Sequence, residues 1–523
     1  MSRRSPTTDR ATSVAHGGER LHRFHGGLRL RHNRQLSCRH PLAPVPLPEA
    51  FVVPLLQHRG PPAEPRVNTG QRVLKGDLLA AASGLGASVH APTSGQVVAI
   101  EERPMAHATG QPGPCVVLRA DGEDRRGERR PLPGWRDAAP QALWAHLRDA
   151  GVVGLGGAVF PTDRKLASAR LPIHTLILNG AECEPYIACD ETLMRERPER
   201  VVEGALILRH ALGAERVLIA IEDVMGAVEA RLRAASRDLA GGEVEVIPVP
   251  ALYPEGGERQ LVQTLTGQEV PDGAYPPALG LLVQNVATAA AVRDAVLTGE
   301  PLIERVVTVT GNGVREPRNV LARIGTPVAD LVRAAGGYRE GAVRLVVGGP
   351  MMGYPLASDA EPVVKATNCL LVLDREDVRP TQPEMPCIRC GDCAAVCPSR
   401  LLPQELLFQA RAQQWDTVSE LGVSACIECG CCDAVCPSHI PLTQWFRFGK
   451  GAVRDQARER EAAARARERY EARERRRERQ RRERAERLAR RKKKLADQES
   501  RKRQIAAALE RAKKRTPPSP DDR

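Results

Sequence analysis

The sequence predicts a multidomain chain of α/β and α+β modules. Three observations carry that expectation: eight cysteines in two blocks of identical spacing, a change of texture near residue 131, and a long Ala/Arg/Glu/Lys-rich C-terminal stretch. At 523 residues there is room for three or four domains. The expected divisions are a basic leader over 1–40, a barrel-sandwich domain over 41–130, a Rossmann-like α/β domain over 131–300, a β-grasp domain over 301–375, an α-helical two-cluster domain over 376–450 and a charged, helical to disordered tail over 451–523.

The formal net charge of +13 is unevenly placed. Residues 451–523 hold 28 Lys and Arg against 14 Asp and Glu, and residues 1–40 hold 9 against 2, so the body between them carries 40 against 48 and is acidic. A basic surplus confined to the termini suits tethering or docking and says little about the central chemistry. The longest apolar runs, near Leu171 to Leu178 and Val343 to Val347, fall far short of the ~18 residues of a membrane span. A soluble or peripheral protein is expected.

The leader before Leu21 matches no known pattern. Over 41–130, Phe51-Val-Val, Arg72-Val-Leu, Ala91-Pro-Thr-Ser-Gly-Gln-Val-Val-Ala-Ile and Cys115-Val-Val-Leu are short β pieces separated by glycine and proline, the signature of a small sandwich or barrel. The pattern resembles the biotinyl/lipoyl-type barrel-sandwich domain. No lysine stands at the hairpin where those domains carry a prosthetic group, so a structural role is expected.

Next, Leu176-Ile-Leu-Asn and Val217-Leu-Ile-Ala-Ile read as buried strands, and Thr192 to Leu212 and Ala227 to Leu239 as helices, which together indicate a largely parallel sheet. Arg305-Val-Val-Thr-Val-Thr-Gly, a helix near Pro327 to Ala335, and Val343-Arg-Leu-Val-Val-Gly-Gly suit a β-grasp fold. A helical stretch around Pro403 to Leu421 separates the two cysteine blocks. The tail favours helix, with Glu/Arg pairs three or four apart, yet lacks an apolar stripe. It is expected to end in a disordered proline-rich segment at 517–520.

The blocks are Cys387-Ile-Arg-Cys390-Gly-Asp-Cys393-Ala-Ala-Val-Cys397-Pro and Cys426-Ile-Glu-Cys429-Gly-Cys-Cys432-Asp-Ala-Val-Cys436-Pro. The C-x2-C-x2-C-x3-C-P spacing holds cubane iron-sulfur clusters, with the fourth cysteine of each block reaching the other cluster. Cys387, Cys390, Cys393 and Cys436 are therefore assigned to one [4Fe-4S] cluster, and Cys426, Cys429, Cys432 and Cys397 to the other. Structural zinc leaves a third cysteine and a Cys-Pro in each block unexplained. Disulfides suit a secreted domain, whereas no apolar signal-peptide core opens the sequence. Cys431 is out of register and reads as a spare thiol. Cys38, Cys115, Cys183, Cys189 and Cys369 show no ligand spacing.

Outside the clusters the richest chemistry lies in Gly154-Leu-Gly-Gly-Ala-Val-Phe-Pro-Thr-Asp-Arg-Lys165 and, after a strand, Asn179-Gly-Ala-Glu-Cys-Glu-Pro185. Glycines let backbone N–H groups approach a phosphate, and a helix starting near Pro161 would add its positive dipole end. The loop departs from the dinucleotide fingerprint G-x-G-x-x-G at Val159.

These two loops resemble those of the flavin- and NADH-binding subunit of respiratory complex I. Together with Phe24-His-Gly-Gly27, His90-Ala-Pro-Thr-Ser-Gly95, Tyr253-Pro-Glu-Gly-Gly-Glu258, Gly348-Gly-Pro-Met-Met-Gly353 and the C-terminal clusters, the chain resembles, over roughly residues 21–448, the RnfC (RsxC) family of the Rnf (Rsx) ion-translocating oxidoreductase complexes. The resemblance implies that Gly154, Gly156 and Lys165 cradle the FMN phosphate and ribityl chain. Asn179, Glu182 and Cys183 would line the flavin, with Gln284 and Asn285 closing the site. Phe160 would stack on the NADH adenine, Glu184 and Glu258 would contact NADH hydroxyl or amide groups, and Tyr253 would sit near the nicotinamide. Val159 replaces a glycine usual in the loop, and Gln284 an asparagine.

No protein acid or base is expected to be catalytic, because hydride transfer belongs to the flavin. The implied protein is an NADH-linked translocase subunit with FMN and two [4Fe-4S] clusters. It would sit peripherally on the cytoplasmic face of the bacterial inner membrane beside integral-membrane and electron-carrier subunits. The alternative is a non-catalytic iron-sulfur relay scaffold with a vestigial flavin site. The tail is either passively solvated or drawn to an anionic membrane surface. Without stacking platforms or a reading module, no nucleic-acid partner is expected.

Overall fold

The computed structural model describes residues 21–168, 171–378 and 382–514. The expected disorder at 517–520 and the unmatched leader before Leu21 lie outside the described residues. The chain forms two compact units, Met1–Arg447 and Phe448–Arg523.

In the first unit, strands Ala50–Pro54, Pro112–Ala120, Gly95–Pro104 and Arg72–Val73 form one antiparallel sheet, and Glu64–Pro65, Leu78–Ala81 and Val89–His90 form a second. Both sheets bury alternate side chains in a shared core that includes Phe51, Val53, Leu79, Val97, Val116 and Leu118, the layering of a sandwich.

The α/β domain is a four-stranded parallel sheet in the order Val244–Val249, Arg216–Glu222, Thr175–Gly180, Leu281–Asn285. Its strands are near-continuous apolar runs because helices cover both faces. The sheet order runs outward from Thr175–Gly180 in both directions, so the first and last strands of the domain are neighbours at a topological switch point, where such sheets open a ligand crevice beyond their carboxyl ends.

The β-grasp domain is a mixed sheet of Glu304–Thr310, Arg318–Arg323, Ala342–Val347, Tyr354–Pro355 and Cys369–Asp374, packed on the helix Val328–Ala334. Its edge is completed by Ala43–Pro44, which pairs in parallel with Arg318–Arg323. Sequence alone places those two residues in the barrel-sandwich segment; a two-residue strand carries no periodicity, and only its partner shows where it belongs.

Two expected helices are broken. The stretch from Thr192 to Leu212 is two helices, Cys189–Glu196 and Pro198–Leu212. Pro198 has no N–H to continue the ladder and pushes Arg197 out of the helical region, to φ −140° and ψ 50°. Likewise Pro403–Arg411 and Trp415–Glu420 replace one helix, with Gln413 in the left-handed region between them.

The final helix, Leu442–Lys513, supplies the described part of the second unit. Its surface is laced by ion pairs one turn apart, among them Glu461–Arg465, Glu471–Arg475 and Arg482–Glu486. Each stabilises an exposed helix by roughly 0.2–0.5 kcal/mol.

Lys365 fastens three domains. Its backbone N–H donates to Gln57 Oε1, and its buried Nζ donates to the carbonyls of Ser88 (2.9 Å) and Gly151 (2.7 Å). Burial pushes its pKa down to about 7. The unfolded chain, with lysine near 10.4, then binds more protons than the native state between those values, so stability rises with pH across that window. The melting temperature of the wild type, relative to Lys365→Met, is expected to climb between about pH 7.5 and 9.5. A pH-independent difference would contradict this reading.

Candidate functional site

Two pockets gather the clustered cysteines. One brings Cys387, Cys390 and Cys393 together with Cys436. The other brings Cys426, Cys429 and Cys432 together with Cys397, and Cys431 also lines it. The two loops share one backbone design: Arg389 and Gly391 in the first, and Glu428 and Gly430 in the second, all take positive φ, as do Arg400 and His439 three residues after the final cysteines. Successive N–H groups curled this way make a cradle for an anionic group. The Glu428 and Leu401 N–H groups already reach the sulfurs of Cys426 and Cys397 at 3.4 Å.

The thiols fit a multinuclear cluster better than one metal ion. Among the described residues, the only group of three or more His, Cys, Asp or Glu side chains whose potential ligand atoms lie mutually within 4.8 Å is Glu182, Cys189 and Asp190, so no three of the clustered thiols stand that close together. A tetrahedral zinc, with Zn–S near 2.3 Å, would draw its sulfurs to roughly 3.8 Å of one another.

The second constellation sits at the switch point. Asn179 and Asn285 end the neighbouring parallel strands and are register partners. The Asn179 side chain donates to the Gly256 carbonyl at 2.8 Å and accepts the Ala181 N–H. Asn285 caps the helix Val286–Arg293 by accepting the Ala287 and Thr288 N–H groups, and donates to Asp190 at 2.6 Å.

The glycine loop folds onto these strand ends. The Gly154 N–H donates to the Phe160 carbonyl, and the Leu155 N–H donates to Thr288 Oγ1 at 2.9 Å. A Cβ on Gly156 would touch Asn285 at 3.4 Å, while Gly157 faces open space. Lys165 Nζ is 2.7 Å from Glu258 Oε1, and both side chains are part-exposed. Phe160 is half-buried.

Several features fit a flavin nucleotide. Gln284 is buried and its Nε2 donor has no partner in the structure, an unmet donor that a polar ligand at the strand ends would satisfy. Val159 stands at φ +43°. That conformation is strained for a β-branched side chain, and it explains physically why a glycine suits the position. The expected helix dipole, however, contributes little. The helix Thr162–Ala167 has only six residues and already carries Asp163 in its first turn, which leaves Lys165 and the loop N–H groups as the positive groups the glycine loop offers a ligand.

The acidic loop is largely occupied by structural duties. Glu182 is buried and accepts the Asp190 and Glu191 N–H groups at the start of Cys189–Glu196, as well as the Cys189 thiol. Burial and the neighbouring Asp190 carboxylate raise its pKa. Glu184 Oε1 accepts the Met351 and Met352 N–H groups, tying the loop to the Gly348–Gly353 turn. Gly349 is required there, because a Cβ would lie 2.3 Å from Glu184 Cγ.

Cys183 Sγ accepts the Gly256 N–H at 3.3 Å. Tyr253 is buried, and its hydroxyl donates to the Cys429 carbonyl at 2.7 Å, which turns it toward the cluster domain. Sequence reasoning missed Asp190 and Thr288, which lie outside the recognisable loops and gain their place only through the contacts of Asn285 and Leu155.

Four family models match the chain: the Nuo51 FMN-binding domain over residues 147–294, the RnfC barrel sandwich hybrid domain over 22–123, the SLBB domain over 306–355 and the 4Fe-4S dicluster domain over 386–440. The chain thus carries FMN-binding and 4Fe-4S dicluster modules in the architecture expected from sequence. Among curated proteins, the C-subunit of the ion-translocating oxidoreductase complex of Pseudomonas aeruginosa is 48% identical over 452 residues, covering 86% of this chain and 58% of the relative. The protein of the same name from Edwardsiella ictaluri is 45% identical over 499 residues, 95% of this chain and 60% of the relative. That from Serratia proteamaculans is 42% identical over 499 residues, 95% of this chain and 71% of the relative. The chain spans about three fifths of the first two.

Proposed function

The chain belongs to the RnfC family of ion-translocating oxidoreductase complexes, and from that premise we propose that it is the NADH-linked electron-transfer subunit of such a complex. The observation that carries this reading is the opposition of Asn179 and Asn285 at the switch point, beneath the glycine loop that leads into Lys165, in the same compact unit as two four-cysteine pockets.

Lys165 and the loop N–H groups hold the FMN phosphate. Asn179, Gln284 and Asn285 present polar groups along the strand ends, and Phe160 offers a half-exposed aromatic face for a nucleotide base. Glu258 keeps Lys165 oriented across the crevice until the phosphate arrives, and Glu184 fixes the acidic loop. When bound, FMN and the clusters supply the conversion between two-electron and one-electron chemistry, leaving binding, orientation and electrostatics to the protein.

No described helix is long and apolar enough to cross a membrane. In this reading ion movement belongs to partner subunits, and the chain works peripherally at the cytoplasmic face of the inner membrane. The basic run 490–494 on the exposed final helix suits anionic headgroups, which attract each Lys or Arg by ~1 kcal/mol near the surface.

The test is NADH-dependent reduction of a one-electron dye by the chain loaded with FMN, iron and sulfide. Turnover that disappears when FMN is omitted is expected. Absence of turnover in a chain whose clusters are reducible by dithionite would leave only the relay-scaffold reading.

A further inference from the structure

The two cysteine pockets are alike in sequence but not in surroundings. None of the cysteines Cys387, Cys390, Cys393 and Cys436 is buried: Cys390 is exposed, and Ile388 in the same pocket is 69% exposed. The other pocket abuts the α/β domain. Cys429 and Cys431 share a buried apolar cluster with Cys183 and Tyr253, against which Leu28, Leu30, Met351, Val396 and Ile427 pack.

Two hydrogen bonds converge on the peptide carbonyls of this pocket's ligands. Tyr253 Oη donates to the Cys429 carbonyl at 2.7 Å, and His25 Nδ1 donates to the Cys397 carbonyl at 2.9 Å. The donors come from segments far apart in sequence that are themselves paired: the Leu28 N–H donates to the Tyr253 carbonyl at 2.7 Å, and the Tyr253 N–H returns to the Leu28 carbonyl at 2.9 Å. The Gly27 N–H adds a bond to the Val396 carbonyl at 3.0 Å. Such close passage requires Gly26, since a Cβ there would stand 2.5 Å from the Val396 backbone. The Phe24–Leu28 segment is thus a strap that crosses from Tyr253 to the second cysteine pocket.

We propose that His25 and Tyr253 are positioning residues for the cluster held by Cys397, Cys426, Cys429 and Cys432, and that their hydrogen bonds set its potential apart from that of the other cluster. The inference rests on the reading that both pockets hold clusters. The physical reason is electrostatic. A cluster gains negative charge on reduction, and its potential is tuned by hydrogen bonds to its sulfurs and by solvent exposure; donors on the peptide carbonyls of its ligands act on the same charge through their dipoles rather than through a sulfur. Donors directed at the ligand peptides, in a site where Cys397, Cys429 and Cys432 are buried, favour the reduced form, and a low local dielectric magnifies the effect. The exposed first pocket receives neither donor.

The experiment is an anaerobic potentiometric titration, followed by electron paramagnetic resonance, of the full chain reconstituted with iron and sulfide. It compares wild type, Tyr253→Phe, His25→Ala and His25→Gln, with Cys390→Ser used to identify the signal of the second pocket. Tyr253→Phe and His25→Ala are each expected to move that one midpoint to more negative potential while the other stays in place. His25→Gln, which retains a donor, is expected to recover part of the shift. Equal shifts in both signals, or none in either, would overturn the assignment and leave the two residues as packing. A wild type that fails to load both clusters would instead refute the functional reading, so the two failures are distinguishable. Should Tyr253→Phe fail to fold, the His25→Ala and His25→Gln pair decides alone.

Discussion

Replacing Cys436 by serine is expected to remove iron from the pocket that this residue shares with Cys387, Cys390 and Cys393, although Cys436 lies in the other sequence block. Iron per chain should fall from about eight to about four, since each cubane holds four irons. The informative comparison is between double variants. Cys387→Ser added to Cys436→Ser should cost no further iron, because both remove ligands of one cluster. Cys426→Ser added to Cys436→Ser should remove nearly all of it. The opposite pattern would mean that each sequence block binds its own cluster and would refute the interleaved arrangement.

Lys165→Ala carries the second large effect. In the proposed site Lys165 is the cation that follows the glycine loop, and it is paired with Glu258 at 2.7 Å. A hydrogen bond to a charged group is worth about 1.5–3 kcal/mol, so FMN affinity measured by fluorescence quenching should fall by about 10- to 150-fold. Glu258→Gln should be far milder, because it releases the lysine without removing it. Unchanged FMN affinity in Lys165→Ala would show that the phosphate is held elsewhere.

The parts legible in the sequence were those whose chemistry is local. A cysteine block writes its ligand spacing within eleven residues, and the run from Gly154 to Lys165 carries its own turn and cation. The parallel strands were legible because both faces are buried, which makes them continuous apolar runs. The rest depends on partners distant along the chain. Tyr253 offers no local sign that its hydroxyl meets Cys429, 176 residues away. Phe24-His-Gly-Gly27 could be recognised as a motif, yet its role emerges only when Val396 and Cys397 pack against it. Glu182 and Glu184 look like ligand-binding carboxylates in a polar loop. Their backbone partners, at 190–191 and at 351–352, show that both also hold the loop in shape.

In the proposed function one chain links NADH to its clusters through the switch-point crevice. That link is read by adding NADH anaerobically to the chain reconstituted with FMN, iron and sulfide, and recording visible and electron paramagnetic resonance spectra together. Bleaching of the flavin band followed by reduced-cluster signals is the expected result. Clusters that stay oxidised with NADH, in a chain that binds FMN and whose clusters dithionite reduces, would contradict it.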